Sequence, residues 1–362
     1  MQLSLKTILA ILPFVASSTA STCTVTTSNL GDIATIKNDC TSIVINGVTV
    51  PAGETLDLTG LKQGTTVTFE GTTTFGYEEW TGPLISVSGS GITVTGSSGH
   101  VINGNGAKWW DGKGSNSGKT KPKFFSAHKV TGNSNIKNLN IKNTPVQGFS
   151  INNSENLVFD NINIDNSAGD TNSLGHNTDA FDISESDYIT IQNSNVKNQD
   201  DCLAINSGTN IKFLSNSCSG GHGISIGSVG GRSDNTVNGV TATGNTITNS
   251  QNGLRIKTVS GATGIVENVT FKSNTISGIS KYGIVIEGDY VNNGKTTGSL
   301  TTGVPITGLT VNGLTGSVDS SAQPVYVYVA GASNWNWSNV DITGGKVSQK
   351  CSGIPSGSGA SC

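Results

Sequence analysis

Residues 179–205 read DAFDISESDYITIQNSNVKNQDDCLAI, and the spacing of their apolar positions governs the reading of the whole chain. Phe181 and Ile183 stand two apart, Ile189 and Ile191 repeat that spacing, and Leu203 with Ile205 restores it. Alternation with period two marks a β-strand with one buried face. Outward from this stretch the pair recurs as Phe149/Ile151 upstream and as Ile224/Ile226, Leu254/Ile256 and Ile284/Ile286 downstream, at intervals of 21 to 32 residues. Shorter strand signals lie between, among them Ile136-x-x-Leu139-x-Ile141, Leu157-Val158-Phe159 and Val269-Thr270-Phe271. A frame restored every 20 to 30 residues or so is a structural repeat, which a sandwich of short strands has no reason to maintain. The chain is therefore expected to be all-β, a right-handed parallel β-helix. Ile, Val, Leu and Phe stack inward, while Asn, Thr, Ser and Gly form the bends.

Composition agrees with that reading. Of 362 residues only 12% are charged and 34% hydrophobic, with 48 Gly and a single Met. Helical bundles need Leu, Met, Ala and long charged side chains, so they are excluded, as is charge-driven disorder. Lys and Arg number 21 against 24 Asp and Glu, which leaves no basic excess for nucleic acid.

Residues 1–20 carry one early cation, Lys6, an apolar run from Thr7 to Ala16 and the small residues Ser17-Ser18-Thr19-Ala20. This is the organisation of a secretory signal peptide, with cleavage expected after Ala20. The run falls short of the roughly 18 apolar residues of a membrane span. A single secreted domain over 21–362, free of the membrane after cleavage, follows as the expectation. Six cysteines in an oxidising compartment suggest disulfides, and sequence order suggests Cys23 with Cys40, Cys202 with Cys218 and Cys351 with Cys362, although other connectivities stay open. No C-x-x-C spacing points to zinc, and no metal or other cofactor is expected. Asn152, Asn268 and Asn336 head glycosylation sequons. Leu30, Ile33 and Ile36 after a possible Ser28 cap read as a short amphipathic helix covering the N-terminal end of the solenoid.

The frame also says which side chains are neighbours. Two positions before the apolar pairs stand Gln147, Asp179, Asp201, His222, Asn252 and Tyr282. Coils stack about 4.8 Å apart, so Asp179, Asp201 and His222 are expected in one row, with Asp200 alongside. Arg255 and Lys257 follow on the outward side of later coils. Strict alternation would turn the two aspartates inward, and a bend just before each strand is expected to free them. Singly, each residue has an ordinary reading: Asp200-Asp201 as a turn, His222 as a turn histidine, Arg255 and Lys257 as solvated strand residues. Together they form a cluster of ionisable groups in a chain that has few. Paired carboxyls are what glycoside hydrolysis needs, one protonated to release the leaving oxygen and one ionised to activate water. A guanidinium and an ammonium beside them suit an anionic sugar, a uronate.

Asn177-Thr178-Asp179, Gln199-Asp200-Asp201, Gly221-His222-Gly223 and Arg255-Ile256-Lys257, in this order, resemble the four signature motifs of the glycoside hydrolase family 28 polygalacturonases. The similarity runs over essentially the whole mature chain, including Trp109-Trp110-Asp111-Gly112, Lys121-Pro122-Lys123-Phe124 and Tyr290, and is greatest to secreted fungal and yeast endo-acting members. The resemblance implies Asp200 as general acid, Asp179 and Asp201 as the pair that activates water, and His222 as a tuning residue. It implies that Arg255 and Lys257 hold a galacturonate carboxylate, with Tyr290 and Asn177 in support. Polygalacturonate or de-esterified pectin would be the partner of a monomeric enzyme without cofactors. The chain differs from many filamentous-fungal relatives in lacking a cysteine pair near Val329 to Trp335.

The family inverts configuration, whereas coil spacing alone would put the carboxyls near the roughly 5 Å of retaining enzymes. Exo-action, another pectic backbone, or a non-catalytic carbohydrate-binding β-helix are the alternatives. Short segments between the motifs favour an open cleft and endo-action. A pectate lyase would need an acidic calcium site and an arginine base.

Overall fold

The computed structural model describes residues 21–291, 294–348 and 350–362, so the leader expected at 1–20 lies outside the described residues. Two sheets wind around one core, a 12-stranded sheet and a 22-stranded sheet that supplies the other faces of each coil. In the smaller sheet, Phe125–Thr131, Phe149–Asn152, Phe181–Ser184, Asp201–Ile205, Gly223–Val229, Asn252–Val259, Tyr282–Val291 and Gln323–Tyr328 pair in parallel, each one coil beyond the last. This is a parallel β-helix.

The repeated apolar pair is the inner column of that sheet. Phe149, Phe181, Leu203, Ile224, Leu254, Ile284 and Val325 are register partners in sequence, and all are buried. Phe125, Phe149 and Phe181 stack with centroids 4.9 and 5.4 Å apart. Each such side chain contributes about 1.5–3 kcal/mol on burial.

The bends account for the Asn and Gly content. Asn138, Asn161, Asn193, Ser215, Gly244 and Ser273 occupy one bend in successive coils, all with φ between 51° and 69°. Gly and Asn adopt this left-handed region at least cost. Each N–H there donates to the next coil, as from Asn161 to the Gln192 carbonyl at 3.1 Å. Inside the same bend, one residue on, the side chains themselves form a ladder. Asn216, Asn245 and Asn274 are buried, and the Asn216 and Asn245 N–H groups donate to the Asn245 and Asn274 Oδ1 at 2.9 and 3.0 Å.

The N-terminal end is covered as the apolar spacing indicates, with a difference in the cap. Residues Thr27–Asp32 form a 3-10 turn before the α-helix Ile33–Asp39. The capping residue is Thr26, whose N–H donates to Asn29 Oδ1 at 2.6 Å, and not Ser28. Lys37 reaches from the helix to Asp57 at 3.0 Å. Disulfides join Cys23 to Cys40, Cys202 to Cys218 and Cys351 to Cys362, with Cα separations of 6.1, 5.9 and 6.0 Å. Among the described residues no helix is long and apolar enough to cross a membrane.

Replacing Asn245 by Ala strips the Asn216 N–H and the Phe213 carbonyl of a buried partner. An orphaned buried group costs about 1–3 kcal/mol, so Asn245→Ala should lower the thermal midpoint by several degrees. Asn163→Ala, on the exposed Asn140 pair, should leave the midpoint in place in the same scan.

Candidate active site

Asn177, Asp179, Asp200 and His222 occupy loops that precede strands of the smaller sheet, while Asp201, Arg255, Lys257 and Tyr290 lie on the strands themselves. A cleft of about 500 Å³ there is lined by Asn177, Asp179, Asp200, Asp201, His222, Arg255, Lys257 and Tyr290, so all eight residues singled out in the sequence meet at one place. Their alignment departs from the expected row. Asp201 pairs with Gly223, yet Leu203 pairs with Ile224, so Cys202 is an additional residue, a β-bulge. The slip sets His222 beside Asp200 instead of Asp201, with Nδ1 2.9 Å from Asp200 Oδ1. It also puts Asp201 in phase with the outward positions downstream. A bulge within the strand, and not only a bend before it, turns this carboxylate into the cleft.

Asp201 is the most heavily bonded group of the site. Its carboxylate accepts from Arg255 Nη2 at 3.0 and 3.2 Å, Lys257 Nζ at 2.9 Å and Ser225 Oγ at 2.7 Å, and the residue is 1% exposed. Burial pushes its proton affinity up, but Arg255 and Lys257, helped by His222 and Ser225, hold it far below the usual carboxylate range. It is ionised at every working pH. Asp200 Oδ1 accepts the Asp201 N–H at 2.8 Å, and Oδ2 accepts Asn177 Nδ2 at 3.1 Å.

Asp179 behaves oppositely. Burial raises its pKa, neighbouring Asp200, Asp182 and Asp201 raise it further, and its Oδ1 has no hydrogen-bond partner in the protein. One proton is thus held within a cluster whose carboxyls cannot all ionise cheaply. Asp182 is a fourth member, pushed up to about 7 by burial and by Asp201.

The flanking motif residues fix this arrangement. Gly221 and Gly223 bracket His222 because a Cβ would strike the Asp200 carbonyl at the first and the Asn252 carbonyl at the second, where φ is also +87°. Thr178 and Gln199 bond each other at 2.8 and 2.9 Å, and Asn198 Nδ2 holds the carbonyls of Thr178 and Asp201 at 2.9 and 3.0 Å. Asn177 ties the acid to a neighbouring loop, its Oδ1 accepting the Ser115 N–H at 3.0 Å. Lys257 Nζ lies 5.5 Å from the Tyr290 ring centroid. Trp109 and Trp110 are buried scaffold, donating to the carbonyls of Glu78 and Thr144.

Ser225, Asp182 and Glu287 were not singled out, although each sits at an outward position of the same frame. Of the sequon residues, Asn268 and Asn336 are exposed and Asn152 is half-buried. Ligand atoms of Asp200, Asp201 and His222 lie within 4.8 Å of one another. Arg255 and Lys257 already bond both Asp201 oxygens, so a cation there would compete with two fixed positive charges.

The profile described as glycosyl hydrolases family 28 matches residues 40–362. A polygalacturonase of Saccharomyces cerevisiae is 59% identical over 345 residues, 95% of this chain and 94% of that one. An endo-polygalacturonase of Sclerotinia sclerotiorum is 64% identical over 321 residues, covering 89% and 83%. Among solved structures, endopolygalacturonase I from Stereum purpureum, complexed with two galacturonates, superposes with a TM-score of 0.80 at 41% identity over 90% of this chain and 95% of that one.

The raised pKa of Asp182 has a defined consequence for stability. The folded protein keeps this proton from the ordinary 3.8 up to about 7, so the group's contribution is fully present at low pH and lost as pH rises through about 7. Asp182→Asn removes that loss. Its thermal midpoint should exceed that of the parent at pH 8 and match it at pH 4, in paired scans.

Proposed function

The chain belongs to glycosyl hydrolases family 28, and on that footing we propose that it is an endo-acting polygalacturonase, cleaving α-1,4-galacturonosyl linkages of polygalacturonate and de-esterified pectin. The observation that carries this reading is the Asp201 clamp: a carboxylate held ionised by Arg255 and Lys257 beside Asp179, a carboxyl whose proton affinity burial and neighbouring acids raise. In the productive arrangement Asp200 is protonated and Asp179 and Asp201 are ionised. Water held by Asp179 and Asp201 attacks the anomeric carbon, Asp179 accepts its proton, and Asp200 delivers a proton to the departing glycosidic oxygen with inversion. His222, 2.9 Å from Asp200, orients that carboxyl.

Burial, with Asp200, Asp182 and Asp201 close by, raises the proton affinity of Asp179 in the free cleft, so Asp179 must give up its proton before it can take one from water. Arg255 and Lys257, already paired to Asp201, present their remaining donors to a galacturonate carboxylate, with Tyr290 and Asn177 supporting the fit. The names of the relatives and the short segments between the motifs support endo-action. Secretion through residues 1–20, a monomeric single domain over 21–362 and glycans at exposed sequons complete the proposal.

Asp200→Asn keeps the shape of the side chain and an oxygen for the Asp201 N–H, but it turns an amide NH2 toward Asn177 Nδ2 and lacks the transferable proton. Its kcat on polygalacturonate should fall about a thousandfold with an unchanged circular dichroism spectrum; full activity would remove Asp200 as the acid. For the parent enzyme, viscosity should drop well before reducing ends accumulate, whereas release of monomer alone would mean exo-action. Charge recognition has its own readout. Highly methyl-esterified pectin should be cleaved more slowly than polygalacturonate, and Arg255→Gln should shrink that preference; equal parent rates on both would contradict the assigned role.

A further inference from the structure

Beyond the reacting centre, the outward positions of the smaller sheet continue as two columns toward the C-terminal end. One runs Ser225, Arg255, Val285, Tyr326 and the other Lys257, Glu287, Tyr328, each residue a register partner of the next. Tyr326 lines the same cleft as the acids and packs against Tyr282, ring centroids 5.0 Å apart. The last strand, Cys351–Ser352, pairs with Val327 and Tyr328, which brings Lys350 to the end of the first column. Lys350 is exposed and its Nζ lies 5.0 Å from the Tyr328 ring centroid. The ring is fixed, since Tyr328 donates its hydroxyl to the Gly298 carbonyl at 2.9 Å. The arrangement repeats that of Lys257 over Tyr290 within the cleft.

We propose that Tyr328 and Lys350 form a distal subsite for an anionic sugar at the C-terminal mouth of the cleft, the ring face carrying the apolar side of the sugar and the ammonium its carboxylate. An aromatic face with a cation above it offers the two contacts a uronate needs. Three coil steps of about 4.8 Å separate Lys350 from Arg255, so only a long substrate reaches both. The Cys351–Cys362 disulfide anchors the segment that carries the cation. This inference rests on the polygalacturonate reading and deepens it.

The test compares hexagalacturonate with trigalacturonate. Lys350→Ala should lower kcat/KM for the hexamer about fivefold and Lys350→Glu more, with the trimer unchanged, cleavage positions on the hexamer displaced, and Lys350→Arg close to the parent. A Lys350→Glu enzyme with parental hexamer kinetics and product pattern, or with equal losses on both substrates, overturns the subsite. A parent enzyme that cleaves neither oligomer overturns the activity instead. In that event, calorimetric titration of hexagalacturonate into the Asp200→Asn protein with and without Lys350→Glu decides the subsite, weaker binding supporting it and equal binding refuting it.

Discussion

The bond set around Asp201 is the interaction on which the site depends. It joins three coils, drawing Ser225, Arg255 and Lys257 onto one carboxylate that is almost wholly removed from water. A charge so buried is tolerable only because it is fully paired. Removing either cation would leave the carboxylate with a single charged partner, and removing the carboxylate would leave two cations unpaired on the cleft floor. Burial first of all raises the proton affinity of Asp179 and Asp182, and the permanent charge of Asp201 adds to it, so protonated carboxyls persist where isolated aspartates would be ionised.

The fold was legible because its signal is repetitive. The column from Phe149 to Ile284 could be read from spacing alone, since an inward side chain in a parallel solenoid must meet its equivalent one coil on. The left-handed bend column explains why Asn and Gly are abundant but could not be placed beforehand, as many Asn residues compete for it. At the N-terminal end, Thr26 and Ser28 are both acceptable caps by residue type. Only the reach of Asn29 back to the Thr26 N–H decides between them.

Site membership was legible as well, because the chain has few charges and the frame puts them on one wall. Partnership was not. The row of Asp179, Asp201 and His222 assumes constant register, and a single bulged residue at Cys202 pairs His222 with Asp200. Ser225 carried no signal beyond its outward parity, because a serine between two isoleucines is unexceptional in so serine-rich a chain. Glu287 was obscured differently. An acid in a cleft for a polyanion runs against charge logic until its setting is seen, where burial raises its proton affinity against the pull of Arg255 and Lys257.

The same bulge bears on how the register of the site is held. Cys202 is the inserted residue itself, and its sulfur is tied to Cys218 on the inner column of the facing sheet. Before that bond closes, only noncovalent contacts oppose a slide of one residue, which would turn the Asp201 carboxylate away from its cations. Oxidation therefore does more than stiffen the solenoid: it latches the reading frame of the reacting groups. A chain with Cys202 and Cys218 reduced would hold the same residues with that phase less firmly fixed.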